Sequence, residues 1–357
     1  MKLTNASRIL TAGLSRRAFV GASLASAATL VLAGCNSGSG SADGTADASS
    51  GSKAASGEKT KITFCLDYTP NTNHTGIYVA QNKGFFADEG LEVEIVQPAD
   101  GTAEGAIGTG QAQLGVSYQD YVAAAYDAGN TGLTAVAAVI QHNTSGIMSR
   151  AEDGITHAAL MEDHVYTTWD MAVEQATIKQ IMTTDGGDFN KLKMVPFTVD
   201  DEVQGLKANM FDCVWVYEGW AVQNAAVQDY PVNYFSFKDM DDVFDFYTPV
   251  LAANNDFMKS NPDAVKAFLR AAKKGYEFAV EHPEDAAQIL CDEVPELDSA
   301  LVEASAKYLA DQYTADASSW GVIDGKRWAA YFQWLNDNDL VENKLDVNAG
   351  FDTSYLA

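Results

Sequence analysis

The 357 residues carry 49 acidic and 23 basic side chains, a formal net charge of −26 that disfavours nucleic acid and anionic lipid surfaces as partners. The four cysteines show no CxxC spacing, and no zinc-ligand, nucleophile-elbow or kinase pattern appears. Glycines at 101, 105, 108 and 110 lack Walker and dinucleotide spacing. The chain is therefore read as a non-enzyme without a cofactor or metal.

The first residues carry an address. Ser15-Arg16-Arg17-Ala18-Phe19 is a twin-arginine export pattern. The apolar run 19–33 is too short and too rich in Ala, Ser and Gly to cross a bilayer as a helix. Leu32-Ala33-Gly34-Cys35 places small residues before a cysteine, the pattern at which lipoprotein processing cleaves and acylates the thiol. Residues 1–35 are thus read as a twin-arginine lipoprotein signal peptide, with Cys35 lipidated and the mature chain held outside the cytoplasm on the cell membrane by that anchor alone. Residues 36–58, rich in Gly, Ser and Ala, read as a flexible tether with a reach of about 25 to 30 Å.

The mature chain opens on a β-rich run, 61–66, followed by a polar loop, 67–73. A helix over 76–86 precedes Gly90, and Leu91-Glu92-Val93-Glu94-Ile95 alternates apolar and acidic before Val96, as a half-buried strand does. Helix 103–109, strand 113–116, helix 121–128 and the apolar strand 133–140 continue the rhythm. A second run follows: strand 165–166, helix 171–182, strand 194–196, helix 203–209, strand 213–217. Two successive α/β units with mostly parallel sheets are expected. The last third turns helical, with Asn261-Pro262 and His282-Pro283 opening two helices and further ones over 302–312 and 327–336.

Such sheets bind ligands beyond the carboxyl ends of their strands. The loops at those ends hold Asp67, Tyr68, Asn71 and His74; Tyr118; Asn143; Trp169; and Tyr217, Glu218 and Trp220. Rings, amides and carboxylates together suit a flat heteroaromatic guest, stacked by the rings and gripped at its edge. Asp67 and Glu218 are the candidates for adjacent donors on an amino-substituted ring.

Residues 67–76, DYTPNTNHTG, resemble the thiamine-pyrimidine-precursor branch of ABC-transporter substrate-binding proteins, and so do 80–86 (AQNKGFF), 140–146 (IQHNTSG), 185–189 (DGGDF) and 247–250 (YTPV). The resemblance implies a two-lobed type II periplasmic-binding-protein fold with two crossover strands. Lobe one would then comprise 59–147 and 248–357, and lobe two 148–247. It also implies that Tyr68, Asn71, His74, Tyr118, Asn143, Trp169, Tyr217 and Trp220 surround an aminopyrimidine of the hydroxymethyl or formylamino type. The partners would be an ABC permease and its ATPase, with the binding protein a monomer. Family members often have tryptophan at the position of Tyr68, and a carboxylate directly after the Gly-Trp pair, where this chain has Ala221. Eukaryotic relatives are pyrimidine synthases with a cysteine cluster; the corresponding 244–254 has none. The other readings are a riboflavin-like or sulfonate cargo on the same scaffold, a secreted pyrimidine enzyme, and a signalling lipoprotein.

Overall fold

The computed structural model describes residues 59–98, 102–197 and 201–356, so the twin-arginine pattern, Cys35 and the 36–58 tether lie outside it. The strands are β1 (Thr60–Cys65), β2 (Leu91–Val96), β3 (Leu114–Ser117), β4 (Leu133–Ala138), β5 (Ser145–Arg150), β6 (Val165–Thr168), β7 (Lys193–Pro196), β8 (Cys213–Tyr217), β9 (Val232–Ser236) and β10 (Val250–Asn254). They form two five-stranded sheets, ordered β2-β1-β3-β10-β4 and β7-β6-β8-β5-β9.

Each sheet takes one strand against the general direction. β10 pairs antiparallel with β3 and β4, and β5 pairs antiparallel with β8 and β9, whereas β1, β2 and β3, like β6, β7 and β8, run parallel. These two strands are the first that the chain forms after crossing between sheets, so each enters its sheet from the opposite end. The crossings occupy residues 139–144 and 237–249.

The helices are α1 (Thr75–Asn82), α2 (Phe85–Asp88), α3 (Ala103–Gly108), α4 (Gln119–Asp127), α5 (Ala172–Thr184), α6 (Glu202–Lys207), α7 (Gln223–Val227), α8 (Asn255–Ser260), α9 (Pro262–Glu281), α10 (Pro283–Glu293), α11 (Ser299–Ala310) and α12 (Gly325–Asp337). The helix expected over 76–86 is broken in two. Gly84 adopts φ 76°, a left-handed conformation that suits glycine and ends α1. β9 has no forerunner in the sequence reading, because its half-buried Val232-Asn233-Tyr234-Phe235 run shows no clean alternation.

Packing fixes the first lobe tightly. Phe268 of α9 stacks between Phe64 of β1 and Phe86 of α2, with ring centroids 5.3 and 4.9 Å away. α1 lies so close to α9 that a Cβ on Gly275 would sit 1.9 Å from the Gly76 carbonyl oxygen. α12 reaches the other lobe: Trp334 packs edge-on against Phe244, and its Nε1 donates to Gln180 of α5 at 2.6 Å. Among the described residues no helix is long and apolar enough to cross a membrane, and no cluster of metal-ligating side chains is present. Cys65, Cys213 and Cys291 are free thiols; burial pushes Cys65 up to about 11.

Candidate ligand-binding cleft

β1 ends in a buried charge network. The Asp67 side chain is 5% exposed, with Oδ1 2.5 Å from His74 Nε2 and Oδ2 accepting the Tyr118 hydroxyl. His74 is fully buried, and its Nδ1 accepts the Asn71 backbone N–H at 3.1 Å. An accepting Nδ1 carries no proton, so the proton sits on Nε2 and is donated to Asp67. Burial pushes the Asp67 carboxyl up, but the hydrogen bonds from His74 and Tyr118 outweigh it and hold Asp67 below the usual carboxylate range.

This network forms one side of a hollow of about 200 Å³ lined by Asp67, Tyr68, Ala103, Glu104, Tyr118 and Tyr121. Tyr118 is the N-cap of α4, and Tyr121 lies one turn on, their rings 5.3 Å apart. Glu104 is buried and accepts from Ser117 Oγ at 2.5 Å. Tyr68 stands 67% exposed at the lip.

The second lobe supplies Tyr217, from the end of β8, close enough to Tyr118, Tyr121 and Asp67 for their charges to be felt. Burial raises its hydroxyl pKa, and Asp120 raises it further. Trp215 lies two residues back on the same face of β8. It is 8% exposed, and the ring of Trp169 covers it at 5.7 Å. Trp169 itself is 47% exposed. Its loop is pinned by Glu174, whose buried carboxylate accepts from Tyr166 at 2.7 Å, Thr168 at 2.8 Å and the Trp169 N–H at 3.0 Å.

The remaining expected contacts are occupied otherwise. Asn71 caps the turn 72–74, accepting from Asn73 N–H at 2.9 Å. Asn143 is fully buried: its Nδ2 donates to Phe244 O at 2.8 Å, and its Oδ1 accepts from Ser145 N–H at 2.8 Å, so it ties the two crossings together. Glu218 follows Tyr217 and lies in a different hollow, of about 320 Å³, lined by Thr144, Tyr234, Lys238 and Tyr308 among others; Tyr308 donates to it at 2.7 Å. Trp220 is half-buried in the turn 218–222, which packs on α11 through Gly219. Glu218→Gln is accordingly expected to leave affinity for a cleft ligand within about threefold of wild type by calorimetric titration. A tenfold loss would put Glu218 in the site.

Three neighbours were not singled out by sequence: Tyr121, Glu104 and Asp120. The i, i+3 spacing of Tyr118 and Tyr121 on a helix start was the one available signal. Asp120 Oδ1 is buried without a partner, and burial pushes the carboxyl up to about 7, with Glu104 adding to the shift.

Residues 71–286 match the family model described as NMT1/THI5 like. The chain belongs to the NMT1/THI5-like family. It is 27% identical over 302 residues to the formylaminopyrimidine-binding protein of Halalkalibacterium halodurans, covering 81% of this chain and 89% of that protein. It is 24% identical over 252 residues to a 4-amino-5-hydroxymethyl-2-methylpyrimidine phosphate synthase of Saccharomyces cerevisiae, covering 68% and 73%. Among solved structures, the alkanesulfonate-binding protein SsuA of Xanthomonas axonopodis pv. citri superposes with a TM-score of 0.64 at 10% identity, over 83% of this chain and 99% of that one. The periplasmic aliphatic sulphonate binding protein SsuA of Escherichia coli gives 0.64 at 15% identity, over 81% and 96%. This NMT1/THI5-like chain therefore has the type II periplasmic-binding-protein fold, two mixed sheets flanked by helices.

Proposed function

We propose that the chain is the extracytoplasmic solute-binding lipoprotein of an ABC importer and carries a thiamine pyrimidine precursor of the hydroxymethyl or formylamino type. One observation carries the reading. Aromatic rings from both sheets, Tyr68, Tyr118 and Tyr121 after β1 and β3 and Tyr217 at the end of β8, lie near buried carboxylates at the strand ends, and Trp169 would add a further stacking face. Rings of this kind stack a flat heterocycle, each contributing about 0.5 to 1.5 kcal/mol beyond burial, and acids address its amino edge. The H. halodurans relative, named for binding formylaminopyrimidine, supports this cargo.

Asp67 has both oxygens engaged inside the protein and acts by fixing the Tyr118 ring, while Glu104 faces the hollow. Asn71, His74 and Asn143 shape the cleft from behind. The anchor at Cys35 and the 36–58 tether would keep the lobes near the permease and its ATPase.

A sulfonate cargo is disfavoured, since the lining of the Asp67 hollow holds carboxylates and no arginine or lysine.

Thermal unfolding against aminopyrimidines, thiamine, riboflavin and sulfonates tests the cargo. At 100 times its dissociation constant a ligand adds about 2.7 kcal/mol, so an aminopyrimidine should raise Tm by several degrees. Trp169→Ala should lose most of that shift. Stabilisation by a sulfonate alone, or an undiminished shift in the variant, would overturn the assignment.

A further inference from the structure

The two crossings are joined by a polar cluster outside the cleft. Asp245 of the second crossing accepts the Asn143 N–H of the first at 2.9 Å on Oδ1, and Arg327 Nη1 at 2.8 Å on Oδ2. Arg327, in the first turn of α12, also donates to the Gln141 carbonyl at 2.6 Å and lies 3.9 Å over the Tyr247 ring.

His142 joins this cluster through both ring nitrogens. Its Nε2 is 2.9 Å from Asp316 Oδ1, while its Nδ1 is 2.7 Å from Asp245 Oδ2 and 3.0 Å from Arg327 Nη1. A neutral imidazole donates once, so with Nε2–H on Asp316 its Nδ1 accepts from Arg327 and leaves Asp245 to Arg327 alone. An imidazolium donates to both carboxylates at once. Protonation thus replaces the bond from Arg327 at Nδ1 with one to Asp245 that joins the two crossings, while the bond to Asp316 is made in both states. The charged groups facing this ring are Asp245, Asp242, Asp239 and Lys238 from the second crossing, Lys326 and Arg327 from α12, and Asp316. The carboxylates outnumber the cations four to three. An acid lies on each side of the imidazole, with Arg327 Nη1 also 3.0 Å from Nδ1, and the ring is 28% exposed to solvent.

We propose that His142 is a proton-operated latch on the hinge: protonation holds the two crossings in the geometry described above and opposes further closure of the lobes. Tyr68, Trp169 and Tyr217 are still 67%, 47% and 38% exposed in this geometry, so closure on a guest has surface left to bury. Ligand affinity should then be lower with the imidazole protonated than with it neutral. The affinity arm rests on the aminopyrimidine reading above, whereas the latch itself does not.

The test uses the full chain and 4-amino-5-hydroxymethyl-2-methylpyrimidine as probe. Its dissociation constant is expected to rise by about threefold to tenfold between pH 8 and pH 5.5 in wild type. His142→Gln should remove that part of the dependence and leave pH 8 affinity unchanged. A second arm needs no ligand: X-ray scattering should show the lobe separation of wild type changing between the two pH values, and that of His142→Gln staying constant. If the probe fails to bind, the cargo assignment falls and the scattering arm alone decides the latch. Coincident scattering curves for wild type at both pH values, or equal pH responses in wild type and variant, would overturn it.

Discussion

His74→Ala is expected to lower stability by about 3 to 4 kcal/mol and to abolish measurable ligand binding. The imidazole has no solvent exposure and satisfies two partners at once, the Asp67 carboxylate and the Asn71 N–H. Truncation leaves a void and a buried carboxylate short of a donor, each costing about 1 to 3 kcal/mol. The sign of the pH effect follows. Asp67 is held below its ordinary value in the folded protein, so it contributes stability that is present above the unfolded carboxylate range and lost as pH falls through the folded value. Without His74, burial dominates and the contribution changes sign. Urea unfolding at pH 7 and pH 4 checks both points: the variant should lose its largest increment at pH 7, and an equal deficit at the two pH values would separate Asp67 from the effect.

Asp120→Asn should act in the opposite sense and stabilise the protein at alkaline pH. Its carboxyl is raised to about 7 by burial, and Oδ1 has no hydrogen-bond partner. A folded value above the unfolded one means that the acid is best tolerated protonated. Its favourable contribution is complete below about pH 4 and is lost as pH rises through about 7. Each unit corresponds to about 1.4 kcal/mol, so the amide variant should gain as much as about 4 kcal/mol above pH 8 and almost nothing below pH 4. Melting temperatures across that range give the comparison. A wild-type profile that stays level from pH 5 to pH 8, with the variant parallel to it, would contradict the buried-acid account.

The alternation at 91–96 and the apolar run at 133–140 announced their strands because burial periodicity is written in residue type. The same holds for the aromatic groups at strand ends: Tyr118, Trp169 and Tyr217 sit where the rule for parallel sheets puts them. What sequence does not carry is the destination of each hydrogen bond. Asn143 and Glu218 have the composition of ligand contacts, yet one is consumed by Phe244 and Ser145 and the other points away from its neighbour Tyr217 toward Tyr308. Asp120 is present in the loop after β3 but not chosen as a site residue, for the converse reason. An acid at the second position of a helix ordinarily reads as favourable placement at the positive end of the dipole, and only packing shows that water is excluded from it.

In the proposed binding mode one flat guest lies between rings contributed by both lobes. Calorimetric titration of formylaminopyrimidine into wild type, Tyr118→Ala, Tyr217→Ala and the double variant tests it directly. One site per chain is expected, with at least tenfold weaker binding in each single variant and a double variant whose loss departs from the sum, because both rings would hold the same guest. Wild-type affinity in either single variant, or strictly additive losses in the pair, would contradict a shared cleft.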